Sequence, residues 1–584
     1  MLDFHINEYD FSEMGKNKVG LEKHGKDWPV VYLIHNDKEL YIGETQNAYN
    51  RFEQHLKNPE RKDLKTINII FDDEFNKSAI LDIEQQLIQL CGADNKYKLQ
   101  NLNGGQSEKH NYYQREKYIN KLEHIWNELT KFGMTNMSID DIKNTDLFKY
   151  SPYNTLTSEQ NEVCKLIIYD IIDKLSNGID ATSIINGGAG TGKTIILINM
   201  IFKLMNANKL EIDFSDEEDS LTDNNQMIHD LKEFIKSYGH ELKIGYVVPM
   251  TSIRKTLKTV FKETQNGLKA NMVIGPFDVF KEKYDIVFVD EAHRLAQYKN
   301  IGFRGEFKKN ALLMGKNPED ITQLDMIVAN SKYRVLVYDR NQTVKGSDIT
   351  PEQFDKAIVN SSVSKFYLTT QMRCKGGELY TDYINSIFNC NQKEYLEMEN
   401  YDFKIFDDVN DMVQTIKSLN KKYGLCINAA GYSWEWISKI DKNKKAKGIK
   451  TYEDIIKNHL EDIKIGPYKY VWNMTNEEFI ISGNAMNEIG CIHTLQGYDL
   501  NYIGVILGNE IDYNPQTNEI EIDLNQFYDT YVKQGSDYNT VKNYIINSYK
   551  VIMERGIKGC YVYACNKNMQ KYLMQYISKY KNND

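Results

Sequence analysis

A glycine-rich octet between two apolar segments is the feature that most constrains how this chain of 584 residues can fold. The octet fits the pattern GxxxxGK[ST] and consists of Gly187, Gly188, Ala189, Gly190, Thr191, Gly192, Lys193 and Thr194. Its glycines let backbone N–H groups approach phosphate oxygens, and the N-terminus of the helix that follows favours their negative charge. The pattern therefore predicts a parallel α/β domain that binds a nucleoside triphosphate through Lys193 and magnesium through Thr194.

Two adjacent carboxylates, Asp290 and Glu291, come directly after a second apolar segment. Residues 286–289 have the pattern of a buried strand, which would leave both carboxylates at its carboxyl end. Asp290 is predicted to hold magnesium through water, and Glu291 to orient the water that attacks the γ-phosphate. Together with the octet, this pair predicts a nucleoside triphosphatase.

Composition and charge exclude several classes of protein. The net charge of −10 argues against a chain that coats nucleic acid indiscriminately, although a local basic face could still bind it. The eight cysteines form no CxxC pair and no zinc-like spacing, which is typical of reduced thiols in a cytoplasmic protein. No segment approaches the ~18 apolar residues of a membrane span. We therefore expect a cytoplasmic protein without a membrane partner, and the composition leaves its oligomeric state open.

The first part of the chain has the pattern of a small α/β domain, over residues 28–105. We expect its helices at residues 47–56 and 78–91, and its strands at residues 30–34, 40–42 and 66–71. Residues 106–150, which are rich in Lys, Asn, Tyr and Glu, are predicted to form a partly helical connector.

Strands and helices alternate from about residue 156 onward, which is typical of parallel sheets. One set of strands is predicted at residues 183–186, 244–248, 286–289, 335–338 and 366–368, and a second at residues 424–429, 491–493, 502–507 and 560–564. The predicted domains are a small α/β domain over residues 1–105, the connector over residues 106–150, and two parallel-sheet domains over residues 151–362 and 363–584. The acidic segment at residues 213–223 is predicted to be an exposed insertion.

Six further segments resemble the motifs of superfamily 1 helicases and follow the same order along the chain. They are Leu156-Thr-Ser-Glu-Gln160 (Q-motif), the segment that ends at Arg254 (motif Ia), and those that contain Gln342 (III), Arg373 (IV), Gln496 with Gly497 (V) and Arg555 (VI). Within this superfamily the chain resembles the Schlafen group-3-like helicase domain over about residues 150 to 570. The segments at residues 431–436 and 496–504 support that resemblance.

The resemblance implies two RecA-like P-loop domains with ATP bound between them. It implies that Gln160 contacts adenine and that Gln342 senses the γ-phosphate. Arg373 and Arg555 would act as arginine fingers from the far side of the cleft. Gln496 and Gly497 would belong to the nucleotide-binding part of motif V. The chain departs from the usual motifs at Asp499, where relatives often have Glu, and at His293, where many have Gln.

The N-terminal domain carries a second signature. Val30-Val-Tyr32 and Tyr41-Ile-Gly43 resemble the two halves of the GIY-YIG nuclease motif, and the two tyrosines are nine positions apart. The residues that follow in the order of that family are Arg51, His55, Glu84 and Asn101. Asn103 is an alternative to Asn101 that the sequence leaves open.

Phosphodiester cleavage explains the choice of these residue types. Arg51 would fork onto the scissile phosphate, and Glu84 would hold one divalent metal ion, either Mg²⁺ or Mn²⁺. Tyr32, Tyr41 and His55 would activate water or relay its proton, while Asn101 would brace the site. The alternative is structural, since strand tyrosines commonly pack a hairpin face and a single helical Glu is commonly a surface residue.

The hypothesis is an ATP-dependent nuclease–helicase that moves along nucleic acid and cuts it. DNA with a single-stranded tract is the favoured partner, and defence against phage or other foreign DNA is the favoured role. The alternatives are a helicase whose N-terminal domain only binds DNA, an ATP-gated nucleic-acid sensor, and a DNA-repair or RNA-processing enzyme.

Overall fold

The structure is a computed structural model, and it describes residues 4–581 with a number of gaps. The gaps are residues 102–111, 189, 211–222, 265, 300, 302–303, 340–346, 369–375, 393, 399, 441–443, 446–447, 475–478, 480–483, 496–497 and 534–536. The predicted acidic insertion lies outside the described residues except for its last residue. No helix in the described part of the chain is both long enough and apolar enough to span a lipid bilayer.

The N-terminal domain is built around an antiparallel hairpin. Its elements are β1 (Phe4–Asp10), α1 (Glu13–Val19), β2 (Val30–His35), β3 (Glu39–Thr45), α2 (Ala48–Lys57), β4 (Thr66–Asp72), α3 (Lys77–Asp94) and β5 (Lys98–Leu99). The strand order is β1-β4-β2-β3-β5, and Tyr32 on β2 is opposite Gly43 on β3. The predicted hairpin, third strand and two helices are confirmed, whereas β1 was not predicted.

The two faces of this sheet belong to different hydrophobic cores. Val30, Tyr32 and Ile34 pack on one face against residues of α1 and α2. Val31 and Leu33 point to the other face, which α3 covers. Because side chains alternate along a strand, the hairpin presents its tyrosines to the α2 side and its aliphatic residues to α3.

The connector is helical and shares a core with both of its neighbours. It forms α4 (Arg115–Lys131), α5 (Ile139–Asn144) and α6 (Asp146–Lys149), and Trp126 of α4 is fully buried. Aliphatic residues of α3, residues of α4 and residues of the first P-loop-domain helix form one continuous cluster. Direct hydrogen bonds join Asn95 Nδ2 to Glu263 Oε2 at 2.9 Å and Asn266 Nδ2 to the Leu99 oxygen at 3.0 Å. The nuclease-like domain is therefore packed onto the domain that follows it.

The second domain is a parallel sheet flanked by helices. Its elements are α7 (Ser158–Ser176), β6 (Ala181–Gly187), α8 (Lys193–Asn206), α9 (Asp223–Ser237), β7 (Ile244–Val247), α10 (Thr251–Thr264), β8 (Val273–Ile274), β9 (Tyr284–Val289), α11 (Arg304–Leu313), α12 (Gln323–Ala329), β10 (Ser331–Tyr338), α13 (Pro351–Ala357) and β11 (Ser362–Leu368). The strand order is β11-β6-β10-β9-β7-β8, and all neighbouring strands in it are parallel. β11 pairs with β6, so the boundary predicted between residues 362 and 363 is wrong and this domain extends at least to Leu368.

The third domain contains a second parallel sheet. Its elements are α14 (Gly377–Phe388), β12 (Asp402–Ile405), α15 (Val409–Tyr423), β13 (Cys426–Ala430), α16 (Tyr452–Lys457), β14 (Ile463–Ile465), β15 (Tyr468–Trp472), β16 (Glu488–Ile489), α17 (Ile492–Leu495), β17 (Leu500–Leu507), β18 (Ile511–Asn514), β19 (Glu519–Ile522), α18 (Thr530–Lys533), α19 (Tyr538–Met553), β20 (Gly556–Ala564), α20 (Lys567–Leu573) and β21 (Ser578–Lys579). The parallel strand order is β13-β17-β20-β12-β21.

The strand predicted at residues 491–493 is wrong. The apolar segment there begins a helix, because the Thr494 hydroxyl oxygen accepts the Cys491 N–H at 3.2 Å and so caps a turn. The actual strand, β16, ends at Ile489.

Short 3₁₀ helices complete the described regular structure. They are Pro59–Arg61, Ala207–Lys209, Ala270–Met272, Pro276–Lys281, Ala292–Arg294, Pro318–Asp320 and Leu524–Gln526.

Candidate nucleotide-binding and nuclease sites

Thr194 and Asp290 meet at the carboxyl edge of the first parallel sheet. β6 leads into the octet, β9 leads into Asp290, and β10 lies between these two strands. The Thr194 hydroxyl donates a hydrogen bond to Oδ2 of Asp290 at 2.8 Å, and Tyr246 on β7 donates another to the same oxygen at 3.2 Å. A hydroxyl and a carboxylate, both hard oxygen donors, are thus side by side, which fits the ligand preference of magnesium.

Lys193 folds the octet onto itself. Its Nζ donates hydrogen bonds to the backbone oxygens of Gly187 at 2.8 Å and Gly188 at 2.6 Å. Gly190 and Gly192 have φ values of +81° and +77°, in the left-handed region that glycine adopts without strain. The bend surrounds the ammonium group with backbone oxygens, which are the acceptors that phosphate oxygens would replace.

Gln160 ties α7 to the octet. Its Oε1 accepts the Thr157 N–H at 3.0 Å, and its Nε2 donates to the backbone oxygen of Thr191 at 2.8 Å. A Cβ atom on Gly192 would come within 2.4 Å of the same Nε2, so the close approach requires glycine there. The structure places Gln160 beside the phosphate-binding loop, and its contact with adenine stays a prediction.

The pKa values of Asp290 and Glu291, the two carboxylates at the end of β9, are shifted in opposite directions. Burial and the neighbouring charge of Glu291 raise the pKa of Asp290 to about 6. Burial would also raise the pKa of Glu291, but the charges of His293, Lys193 and Arg555 hold it below its ordinary value. His293 Nε2 lies 2.9 Å from Oε2 of Glu291. Glu291 is therefore ionised at neutral pH and suited to orient a water molecule by accepting its hydrogen bond.

Arg555 reaches this site from the third domain. It stands immediately before β20, its N–H donates to the Ile552 oxygen at 3.0 Å, and its oxygen accepts the Leu500 N–H at 3.0 Å. The side chain is buried, and its charge acts on Glu291 of the second domain. Of the predicted arginine fingers, Arg555 therefore lies at the cleft between the two parallel-sheet domains.

Several predicted nucleotide-site residues lie outside the described part of the chain: Ala189, Gln342, Arg373, Gln496 and Gly497. Tyr246 was missed by sequence reasoning, because a tyrosine inside a buried strand has no motif and commonly packs a core.

Magnesium affinity is expected to depend on pH through Asp290. Its carboxyl must lose a proton before it can bind a cation, and its pKa of about 6 lies above the ordinary value for aspartate. Affinity should therefore be constant above pH 7 and fall about tenfold for each pH unit below 6. The measurement is the magnesium dependence of ATP turnover between pH 5 and 8, corrected for the magnesium affinity of free ATP. A constant affinity down to pH 5 would contradict the assignment.

The nuclease residues converge beside the hairpin. The Tyr32 hydroxyl lies 2.7 Å from Nε2 of His55, and Arg51 Nε donates to the same hydroxyl at 3.2 Å. The ring of Tyr41 is centred 6.3 Å from that of Tyr32 and 5.0 Å from that of His55. A Cβ atom on Gly43 would lie 2.3 Å from the Tyr32 hydroxyl, so the last residue of the Tyr-Ile-Gly segment must be glycine for Tyr32 to take this place.

Asn101 and Glu84 approach the hairpin from outside it. The Asn101 amide donates to the Ile42 oxygen at 2.8 Å and accepts the Ile42 N–H at 3.0 Å, which fixes β3 next to Tyr41. This double hydrogen bond matches the bracing role predicted for Asn101, whereas Asn103 lies outside the described residues. Glu84 is half-buried on α3, and its charge contributes to raising the pKa of the Tyr32 hydroxyl, after burial and the influence of Tyr41.

Burial and charge keep the proton-transfer groups neutral. Burial is the main cause that raises the pKa of Tyr32 well above its ordinary value. Burial also lowers the pKa of His55, and the charges of Arg61 and Arg51 lower it further. A neutral imidazole beside a protonated phenol is suited to accept a proton at neutral pH. Arg61 was missed because it belongs to no predicted motif.

Comparisons with known proteins place both halves of the chain. The family model described as "Schlafen group 3, DNA/RNA helicase domain" matches residues 180–566, which is more than half of the chain. The chain belongs to the Schlafen group 3 helicase family. The model of the GIY-YIG catalytic domain matches residues 29–98 of this Schlafen group 3 helicase. Both predicted resemblances are confirmed, so the chain carries a helicase domain and a nuclease domain.

One yeast protein and two solved structures are similar to parts of this Schlafen group 3 helicase at low sequence identity. The uncharacterized protein YPL245W of Saccharomyces cerevisiae is 26% identical over 459 residues, which cover 72% of this chain and 91% of the relative. Among solved structures, the Pif1 helicase of Candida albicans is 10% identical, with a TM-score of 0.25 and coverage of 73% of this chain and 98% of that chain. Domain III of the replication initiation protein DnaA of Thermotoga maritima is 14% identical, with a TM-score of 0.19 and coverage of 47% and 90%.

Proposed function

We propose that this Schlafen group 3 helicase hydrolyses ATP to move along nucleic acid and cuts it with a metal-dependent N-terminal nuclease. One observation carries the motor half: Thr194, Asp290 and Glu291 of one domain converge with Arg555 of the other. A nucleotide bound between the domains would be sensed by both, which is what conversion of hydrolysis into domain movement requires.

The residues divide the work of hydrolysis. Lys193 binds the β- and γ-phosphates when it leaves its backbone acceptors, and Arg555 stabilises negative charge from the far side of the cleft. Thr194 and Asp290 would hold magnesium, which neutralises phosphate charge when bound. Glu291, ionised by its cationic neighbours, orients the attacking water.

The nuclease half follows from the Tyr32–His55 contact. Neutral His55 would take the proton of the attacking water, either directly or relayed through the Tyr32 hydroxyl, which lies 2.7 Å from Nε2 and ends protonated again. Arg51 Nε donates a hydrogen bond to that hydroxyl, and the remaining guanidinium N–H groups would bind the scissile phosphate. Glu84 would hold Mg²⁺ or Mn²⁺, which polarises the phosphate when bound.

We propose DNA with a single-stranded tract as the substrate, and defence against phage or other foreign DNA in the cytoplasm as the role. The pairing of a motor with a nuclease in one chain supports this proposal, because a moving nuclease suits long foreign molecules. In an infection assay, host cells that produce a Glu84→Ala variant should lose protection, and equal protection would argue against defence.

ATP turnover with different polymers tests the substrate. Single-stranded DNA is expected to stimulate hydrolysis more than RNA of the same sequence, because we propose DNA as the track. Strand displacement measured in parallel distinguishes a motor from a sensor: stimulated turnover without duplex separation would favour the sensor. Greater stimulation by RNA would favour RNA processing.

A further inference from the structure

We propose that Arg61 is a positioning residue of the nuclease site, which holds Tyr41 and His55 in the arrangement that cleavage needs. The inference deepens the proposed nuclease activity and rests on it. Arg61 follows α2, in the 3₁₀ helix Pro59–Arg61, and it belongs to none of the segments that resemble the nuclease signature.

The backbone around Arg61 is fixed by local hydrogen bonds. The Asn58 side chain accepts the Glu60 N–H at 2.9 Å, and the Arg61 N–H donates to the Asn58 oxygen at 3.1 Å. The Arg61 oxygen accepts the Leu64 N–H at 3.1 Å. The Arg61 residue is only 2% exposed, and its side chain reaches the ring of Tyr41 on the hairpin.

The guanidinium group packs on the face of Tyr41. Its central carbon lies 3.6 Å from the centre of the Tyr41 ring, well inside the ~6 Å within which cations are attracted to aromatic faces. An arginine is rarely buried, because removing its charge from water is costly. The stacked guanidinium therefore occupies a place that an aliphatic side chain would fill at lower cost, which indicates a role beyond packing.

Tyr41 transmits the position of Arg61 to His55. The Tyr41 and His55 rings meet edge to face, with centres 5.0 Å apart, and Tyr32 holds Nε2 of the same imidazole. The ring that Arg61 supports is thus one wall of the imidazole's pocket. A shift of Tyr41 would remove the ring contact that restricts the His55 imidazole, while the hydrogen bond between His55 and Tyr32 could still form.

The charge of Arg61, like its packing on Tyr41, helps to keep His55 in the state that can accept a proton. The groups around His55 are Tyr32 on β2, Tyr41 on β3, Arg51 on its own helix and Arg61 on the 3₁₀ helix. Burial lowers the pKa of His55 first, and the charge of Arg61 is the next largest cause. Two cations beside one imidazole keep it neutral, and only the neutral form accepts a proton.

The test compares Arg61→Met, Arg61→Lys and a control, Arg304→Met, in the full chain. Arg304 is exposed on α11 of the second domain, and its guanidinium carbon lies 5.9 Å from the centre of the Tyr298 ring, so the control removes an arginine near an aromatic ring outside the nuclease domain. The readouts are the His55 titration, from NMR of ¹³C-labelled histidine assigned with His55→Gln, and the pH profile of plasmid cleavage. Thermal melts identify variants that fail to fold.

In Arg61→Met, the His55 titration and the acidic limb of cleavage should both move to higher pH by about one unit. Arg61→Lys should restore most of the titration but not the full rate, because lysine keeps the charge without the planar stack. An unchanged His55 titration and pH profile in a folded Arg61→Met variant would overturn the inference. Absence of cleavage by the wild-type protein with every metal would instead overturn the proposed nuclease, while a shifted titration would still show that Arg61 acts on His55.

Discussion

Alanine at position 193 is expected to reduce ATP turnover by about 10²–10³-fold, because an electrostatic contact to the transferring phosphate is usually a large catalytic contribution. Lys193 Nζ donates hydrogen bonds to the backbone oxygens of Gly187 and Gly188, which phosphate oxygens would displace when a nucleotide binds. The measurement is steady-state ATP hydrolysis with saturating single-stranded DNA.

Lys236→Ala is the matched control for this substitution. Lys236 is an exposed lysine on α9 of the same domain, where it pairs with Glu233 at 2.7 Å. Turnover should be unchanged in this variant. A Lys193→Ala protein that folds and hydrolyses ATP at the wild-type rate would remove the basis for the motor. Nuclease activity that does not need ATP should survive in Lys193→Ala.

Glu84→Gln is expected to reduce metal-dependent plasmid cleavage by at least about 10²-fold, because the neutral amide keeps the shape of the side chain but loses the charge that binds the cation. ATP turnover should stay at the wild-type level, since Glu84 lies on α3 and the nucleotide site lies on the carboxyl edge of another sheet. The measurement pairs cleavage with ATP turnover on the same preparation.

Glu123→Gln, an exposed change on α4, is the control for charge loss near the same surface. Cleavage that survives Glu84→Gln but is lost in Arg51→Ala would place the metal elsewhere in the site. If the wild-type protein cuts no plasmid with any metal ion, the result would favour an N-terminal domain that only binds DNA.

Local patterns predicted much of this molecule because the relevant interactions are local. The octet needs a strand before it and a helix after it, and both are adjacent in sequence, as β6 and α8 show. The hairpin signature fixes Tyr32 and Gly43 opposite each other because its turn is short. In each case the sequence distance is small, so spacing alone restricts the geometry.

The predictions failed where distant residues decide the structure. β1 reads as polar, yet it pairs with β4 across more than fifty positions and buries Phe4. The boundary predicted after residue 362 separated β11 from the set of strands with which the sequence groups it, and its pairing with β6 places it in the second domain. Arg61 and Tyr246 join their sites through the fold alone, Arg61 by stacking on Tyr41 and Tyr246 by its hydrogen bond to Asp290.

The core that α3 shares with the connector helices α4, α5 and α6 makes the nuclease domain partly dependent on residues that follow it in the sequence. α3 packs on β2 and β3 and on the connector helices α4, α5 and α6, and each of its fully buried aliphatic side chains contributes about 1.5–3 kcal/mol. A chain that ends before the connector should therefore unfold at a lower temperature than a chain that includes it, which thermal melts of the two truncated chains would measure.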